Sequence, residues 1–158
     1  MTANSLKVRL AKPEEAVALT NLAHESKRHW GYPENWISHW KDALTITPEY
    51  IEANPVFVAE DDQRIIGFYA LVVSDSRAEL DHLWVSPAHL GTGVGKALFV
   101  HAMRSAKGQN LSEIEILSDP NAEGFYQKMG AYRTGESVSE VDGQSRVLPR
   151  LTIDPASS

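Results

Sequence analysis

The chain has 158 residues, no cysteine, and a formal net charge of −6 from 15 basic and 21 acidic side chains. Its length fits one domain, and 42% hydrophobic residues can form a core, so we expect a single domain over residues 1–158. The absence of cysteine excludes disulfides, a thiolate nucleophile and cysteine-ligated metal. An acidic chain without a basic stripe argues against nucleic-acid binding.

Membrane and metal partners are not expected either. No apolar run approaches the ~18 residues of a spanning helix, and Met1–Leu10 lacks the pattern of a secretory signal. The six histidines show no ligand spacing such as His-Glu-x-x-His, so we predict no metal. The sequence therefore predicts a protein of the cytoplasm that binds neither membrane nor metal.

The first third of the chain predicts one strand followed by helices. Leu6–Leu10 alternates apolar and polar residues, as a half-buried strand does. Pro13 then begins a helix with acidic residues in its first turn. Pro33–Leu44 and Pro48–Ala53 are predicted as two further helices, each of which begins with proline.

The remainder predicts strands in pairs and two more helices. A hairpin turn is expected at Asp61–Arg64 and another at Asp142–Gly143. The strands are predicted at Val56–Glu60, Ile65–Val73, Ala78–Val85, Leu111–Leu117, Ala131–Ser139 and Arg146–Ile153, and the helices at Val94–Lys107 and Asn121–Lys128. This order indicates a mixed α/β (α+β) domain, because a doubly wound sheet would alternate strand and helix regularly.

A glycine-rich loop lies between the third strand of this part and the helix that follows it. Gly91, Gly93 and Gly95 let the backbone approach a ligand closely and direct successive N–H groups toward it. The helix N-terminus adds free donors and a partial positive charge, so the segment predicts a cradle for pyrophosphate. A plain linking turn is the structural alternative.

Two common phosphate motifs do not fit this loop. A P-loop would require glycine at Leu90 and serine or threonine at Ala97. A dinucleotide fingerprint would require its third glycine at Lys96 and a βαβ unit around the loop.

Two segments together resemble the GNAT superfamily of N-acetyltransferases. Leu83–Leu98 is similar to the family's Val-x-Pro step, turn and Gln/Arg-x-x-Gly-x-Gly/Ala, although Leu90 replaces the usual Gln or Arg. Ser118–Tyr132 is similar to Asn-x-x-Ala-x-x-Phe-Tyr-x-Lys-x-Gly-Phe, with Ala131 in place of the aromatic. The resemblance covers Val56–Ala131.

The resemblance implies both a fold and an activity. The fold is a largely antiparallel central sheet of about six or seven strands, splayed in the middle and flanked by about four helices. The activity is direct transfer of acetyl from acetyl-CoA to a primary amine of a small molecule or peptide. A homodimer is suggested by the family alone. A non-catalytic acyl-CoA-binding sensory domain and an unrelated nucleotide-binding protein remain alternatives.

Cofactor contacts are assigned by the same resemblance. Main-chain groups of the strand end would hold the pantetheine arm and the thioester carbonyl, and the glycine loop would hold the phosphates. The assigned residues are Leu83, Trp84, Val85, Leu90, Gly91, Thr92, Gly93, Val94, Gly95, Lys96, Asn121 and Tyr126. As a structural alternative, Asn121 would cap a helix.

Tyr126 and three residues of one strand are the catalytic candidates. The Tyr126 phenol would protonate the departing thiolate, with a packed aromatic as the alternative. Glu79, where some family members carry a catalytic glutamate, and His82, whose side chain titrates near ~6.5, are candidate bases. Alternation places Glu79 and Asp81 on one face and His82 on the other. A water chain or paired surface charges remain alternatives.

Aromatic residues mark the expected acceptor pocket. Trp30, Tyr32 and Trp36 would stack on an apolar amine or hold a cation, and Asp81 would contact the acceptor. Packing between helices is the alternative for the aromatic side chains.

Overall fold

A seven-stranded sheet forms the centre of the computed structural model, which describes residues 6–157. The strands are β1 (Leu6–Leu10), β2 (Val56–Asp61), β3 (Arg64–Ser74), β4 (Arg77–Val85), β5 (Glu113–Leu117), β6 (Tyr132–Val141) and β7 (Gln144–Ile153). Their spatial order is β1-β2-β3-β4-β5-β7-β6, and every neighbouring pair is antiparallel except β4 with β5.

Six α-helices accompany the sheet in the described residues. They are α1 (Ala16–His29), α2 (Glu34–His39), α3 (Lys41–Leu44), α4 (Pro48–Ala53), α5 (Val94–Gly108) and α6 (Glu123–Lys128), with 3-10 turns at Pro13–Glu15, Pro87–His89, Pro120–Ala122 and Pro155–Ser157. The mixed fold and the strand number are confirmed, whereas there are six helices and not about four, in part because the predicted Pro33–Leu44 helix divides at Trp40.

Two apolar clusters cover the two faces of the sheet. Leu98 and Phe99 of α5 pack on one face with Tyr69. Leu19 of α1 packs on the other face with Phe68. Successive residues of β3 therefore enter opposite cores, as strand alternation requires. All of these side chains are fully buried, so the central strands are fixed from both sides.

The two parallel strands diverge after a short pairing. Arg77–Glu79 of β4 pairs with Glu113–Glu115 of β5, while β4 continues to Val85. The remainder of β5 stays paired with β7 instead. The edge of β4 that faces β5 is consequently unpaired along its last six residues, 80–85, which opens a V in the middle of the sheet.

A β-bulge corrects the predicted side-chain alternation in β4. The register pairs Ala70 with His82 but Val72 with Glu79, so Asp81 is the extra residue opposite Ala70 and Leu71. Ala70 and Val72 share one face of β3. His82 therefore lies on the same face as Glu79, and the prediction of opposite faces is wrong.

The start of α6 also differs from the sequence-based expectation. Residues Pro120–Ala122 form a 3-10 turn, and the α-helix begins only at Glu123 with Ala122 as its N-cap residue. The side chain of Asp119 accepts the hydrogen bond from the Asn121 N–H at 2.9 Å. Asn121 therefore does not cap the helix, and Asp119 caps the turn before it.

No helix within residues 6–157 has the length and apolar character needed to cross a membrane.

Candidate active site

A cleft of about 920 Å³ occupies the V between β4 and β5. The end of β4 forms one wall, and α6 with the turn before it forms the other. Predicted site residues among its lining are Trp30, Asp81, His82, Leu83, Trp84, Val85, Leu90, Gly91, Gly93, Gly95, Lys96, Asn121 and Tyr126. Tyr32, Trp36, Glu79, Thr92 and Val94 are not among the residues that line it.

The glycine loop lies at one end of the cleft and fits an anionic phosphate group. Gly91 and Gly93 have φ of +77° and +91°, a region that favours glycine. Within the described chain, no backbone acceptor is found for the N–H groups of residues 94–96, which are the first three of α5. These donors, the helix dipole and the Lys96 side chain suit pyrophosphate.

The last residue of β4 is hydrogen-bonded to α1. The Ser26 hydroxyl donates to the Val85 carbonyl at 2.8 Å. Because β5 has already diverged, the other main-chain groups on this edge of β4 can pair with an extended ligand such as a pantetheine arm.

Tyr126 is the buried residue of α6 and lines the cleft. Its ring packs against Phe99 and Phe125, with centroid distances of 6.0 and 5.3 Å. Its hydroxyl has no hydrogen-bond partner within residues 6–157. Burial, with a smaller contribution from the Asp119 charge, raises the pKa of Tyr126 well above its usual value, so the phenol stays protonated at neutral pH.

A hydrogen-bonded group surrounds the bulge of β4. The Tyr50 hydroxyl donates to Asp81 Oδ2 at 2.6 Å. The indole N–H of Trp84 donates to His82 Nδ1 at 2.9 Å, so a neutral His82 carries its proton on Nε2, which lies 3.6 Å from Asp81 Oδ2. Burial lowers the pKa of His82 more than Asp81 raises it. The imidazole is therefore neutral, with its lone pair engaged by Trp84.

Glu79 lies near this group, close enough for the Asp81 charge to act on its carboxyl. Partial burial, and then the charges of Asp81 and Glu115, raise the pKa of Glu79. A raised pKa suits a proton acceptor that works near neutral pH. Since Glu79 does not line the cleft, it would reach an acceptor amine only through water.

A second polar group, which we name the cation cluster, consists of Lys27, Tyr32, Asp119 and Arg146. Lys27 Nζ lies 2.7 Å and Arg146 Nη2 lies 3.0 Å from Asp119 Oδ2. The Tyr32 hydroxyl lies 3.0 Å from the same oxygen and accepts from Arg146 at 2.6 Å. Burial alone would raise the pKa of Asp119, but the Lys27 charge and the hydrogen bonds from Lys27, Asn121 and Tyr32 outweigh it and hold that pKa at about 2.

Most of the aromatic side chains of residues 30–40 pack against the cation cluster and do not line the cleft. Trp36 stacks on Tyr32 at 5.9 Å, and Trp40 meets Tyr32 edge-on at 5.1 Å. Lys27 Nζ lies 4.3 Å from the Trp40 ring centroid. Trp30 differs, since it is 45% exposed and lines the cleft.

Sequence reasoning missed several of these partners. Lys27 follows Ala23 by four residues on the buried stripe of α1, a position at which a lysine is unusual and could have been noticed. Asp119 and Arg146 had no such signal, because Asp119 pairs with Lys27, 92 residues away along the chain, and Arg146 pairs with Asp119, 27 residues away. Tyr50 and Asp81 are likewise joined only by the fold.

Comparison with known proteins gives the same family. A sequence profile of the Acetyltransferase (GNAT) family matches residues 17–131. Human N-acetyltransferase 8B is 36% identical over 112 residues, which are 63% of this chain and 49% of that protein. The peptidyl-lysine N-acetyltransferase YjaB of Salmonella typhimurium is 33% identical over 109 residues, 68% of this chain and 70% of that protein.

A solved structure shares the fold over nearly the whole chain. The PaiA N-acetyltransferase of Thermoplasma acidophilum, crystallised with coenzyme A, superposes with a TM-score of 0.75 at 22% identity and covers 95% of this chain and 99% of its own. The splayed sheet, the glycine loop before α5 and the profile match together define the class: this chain belongs to the GNAT family of acetyltransferases. It spans about half the length of human N-acetyltransferase 8B.

Proposed function

We propose that this protein is an N-acetyltransferase that moves the acetyl group of acetyl-CoA directly to a primary amine of a small molecule or peptide. One observation carries the proposal: the glycine loop, Tyr126, Asp81 and His82 all line a single cleft. The glycine loop would bind the phosphates of the cofactor, Tyr126 would donate a proton, and the Asp81–His82 group would bind the amine.

Acetyl-CoA would supply an acetyl group activated as a thioester. The N–H groups of residues 94–96 and Lys96 would hold its phosphates, and the free edge of Leu83–Val85 would pair with the pantetheine amides. Asn121 lies beside this path, where its side-chain amide now donates to Asp119 and Tyr32. The departing sulfur would receive its proton from Tyr126.

The acceptor amine must lose a proton before it attacks. Asp81 lines the cleft and offers a carboxylate fixed by Tyr50, so we propose that it receives the ammonium group. The proton would leave through the β4 group of Glu79, Asp81 and His82. Because Trp84 engages His82 Nδ1, His82 would act by holding this group in place, with Glu79 as the base that acts through water.

The remaining assignments follow the family. The relatives named as peptidyl-lysine and as N-acetyltransferases support a peptide or small-molecule amine as acceptor. We propose one domain over residues 1–158, and a homodimer by family resemblance alone. The lack of cysteine suits a reducing compartment, so the cytoplasm is the proposed location.

The test combines cofactor binding with turnover. We expect calorimetry to show micromolar binding of acetyl-CoA, about −8 kcal/mol, and thiol detection to show CoA release that depends on an added amine. Binding without release for any amine would favour the sensory domain. Absence of binding would contradict the proposal.

A further inference from the structure

The cation cluster carries more positive than negative charge. Lys27 and Arg146 share one carboxylate, that of Asp119, and Tyr32 is neutral because burial and the Asp119 charge raise its pKa to about 12. Lys27, Arg146 and Asp119 all line the cleft, so the surplus charge faces the cleft. A cation held in a half-buried site without a full counter-charge favours an anionic ligand.

Arg146 has donors to spare. Only its Nη2 is used, for Tyr32 and Asp119, and no partner for its Nε or Nη1 is found within residues 6–157. Its side chain is 10% exposed, and that exposure is toward the cleft it lines. The free Nε–H and Nη1–H groups can each donate a single charge-assisted hydrogen bond to a carboxylate oxygen.

The aromatic walls strengthen this preference. Arg146 lies 4.9 Å from the Tyr32 ring and 4.8 Å from the Trp40 ring, and Lys27 Nζ lies 4.3 Å from the Trp40 ring. Of the three aromatic residues predicted to bind an acceptor cation, Tyr32 is thus already in contact with cations of the protein itself. Low surrounding polarity also makes the surplus charge more effective than it would be in water.

Another part of the cleft lining has the opposite sign. Asp81 lines the same cleft with its carboxylate, and Glu79 lies behind it. An acceptor with an ammonium group and a carboxylate matches both parts, whereas a polyamine matches only one and is repelled by the other.

From this distribution of charge we propose that the acceptor is a small amino acid-like molecule, whose amine faces Asp81 and whose carboxylate is bound by Arg146 and Lys27. The inference rests on the proposed acetyl transfer and names the class of its acceptor. Arg146 is the specificity-determining residue in this assignment.

The experiment compares acceptors that differ only in the carboxylate. Steady-state kcat/KM is measured with acetyl-CoA for L-lysine against cadaverine, L-phenylalanine against phenethylamine, the other common amino acids, spermidine and a doubly capped lysine peptide. We expect at least one amino acid to exceed its decarboxylated partner by about tenfold or more, the value of a lost charged hydrogen bond.

Variants assign the preference to the cluster. Arg146→Gln should bring the ratio of kcat/KM between each pair close to one, and Arg146→Lys should leave an intermediate ratio. Arg9→Gln is the matched control, because Arg9 is also a part-buried arginine bound to carboxylates, Glu15 and Glu60, but lies outside the cleft. A purely structural role would lower both members of a pair equally and leave the ratio unchanged.

Each contrary outcome has a distinct meaning. Equal or better acetylation of cadaverine, spermidine or the capped peptide overturns the inference while the proposed acetyltransferase stands. A preference for amino acids that survives in Arg146→Gln and Lys27→Gln also overturns it. If none of the amines in the panel causes CoA release, both the inference and the proposed function are contradicted.

Discussion

Tyr126 combines a buried ring with an unused hydroxyl. The ring belongs to the core beside Phe99, and its position is therefore fixed by packing. The hydroxyl makes no hydrogen bond within residues 6–157, which is uncommon for a buried tyrosine. The packed-aromatic and catalytic interpretations of this residue are thus compatible, because the ring serves one and the phenol the other.

Removal of that hydroxyl separates the two interpretations. We expect Tyr126→Phe to lower kcat by about a hundredfold, since general acid catalysis contributes on this scale, with little change in acetyl-CoA affinity or in the free energy of unfolding. Tyr132→Phe is the control, because Tyr132 is 59% exposed on β6. Unchanged turnover in Tyr126→Phe would leave only the packing role.

Asp119 should make stability depend on acid pH. Its pKa is about 2 in the folded chain against an ordinary 3.8. A lowered folded pKa means that the carboxylate stabilises fully above about pH 4 and that this contribution is lost as pH falls toward 2. The shift corresponds to about 2 kcal/mol.

The predicted quantity is the difference in the free energy of unfolding between the parent protein and the Asp119→Asn variant. Urea unfolding should show Asp119→Asn less stable than the parent by about 2 kcal/mol at pH 7, and the gap should shrink as pH falls from 4 to 2. Asp62→Asn, in the β2–β3 turn at φ +50°, is the control for loss of a carboxylate outside the cation cluster. A gap that is constant with pH would contradict the assigned ion pairs.

Sequence patterns identified the site residues that belong to a local motif. Gly93 and Tyr126 lie in contiguous segments whose spacing is visible in the chain, and both line the cleft. The cation cluster was missed because three of its members come from α1, the end of β5 and the start of β7. Such partners are brought together only by tertiary structure.

The loop before α5 is the element on which cofactor binding depends. Gly93 has φ +91°, and an added Cβ would meet no atom within 4 Å, so alanine there is strained by its backbone alone. The expected cost of a left-handed alanine is about 1–2 kcal/mol. Relief of that strain would turn the N–H groups of residues 94–96 away from a ligand.

Gly93→Ala should therefore weaken acetyl-CoA binding by about tenfold, as measured by calorimetry. Gly143→Ala is a matched control, because Gly143 has φ +80° and equally open surroundings in the β6–β7 turn. It should lose similar stability without loss of affinity. Equal affinity in both variants would return the loop to the role of a linking turn.

In strand β4 the predicted extent was correct, but the predicted assignment of side chains to the two faces of the sheet was wrong. The sequence predicted its extent well, from Ala78 to Val85 against the observed Arg77–Val85. The alternation rule assumes one residue for each step on the partner strand, and the bulge at Asp81 breaks that assumption. Nothing in the local residue types signals the bulge, since it depends on how β3 is aligned.

The whole molecule consists of two parts of one sheet joined by a short parallel pairing. Three residue pairs connect β4 to β5, and beyond them the cleft separates the strands. The cation cluster crosses this opening, because Lys27 belongs to α1 whereas Asp119 and Arg146 follow β5 and begin β7. A ligand in the cleft would add contacts between the two parts.

Acetyl-CoA should accordingly stabilise the chain. At about 100 times its dissociation constant it should raise the free energy of unfolding by about 2.7 kcal/mol. Hydrogen exchange should slow at residues 94–96 and along Leu83–Val85, while the β1–β2 pairing stays unchanged. Uniform slowing across the chain, without these local changes, would place the ligand elsewhere.

The measurement that tests the proposed activity most directly is mass-spectrometric detection of the acetylated amine, with acetyl-CoA labelled in its acetyl group. We expect labelled amide to accumulate in equal amount to free CoA, and Tyr126→Phe to slow the formation of both. Tight binding of acetyl-CoA with no labelled amide from any amine would contradict the proposed activity and identify a binding domain instead.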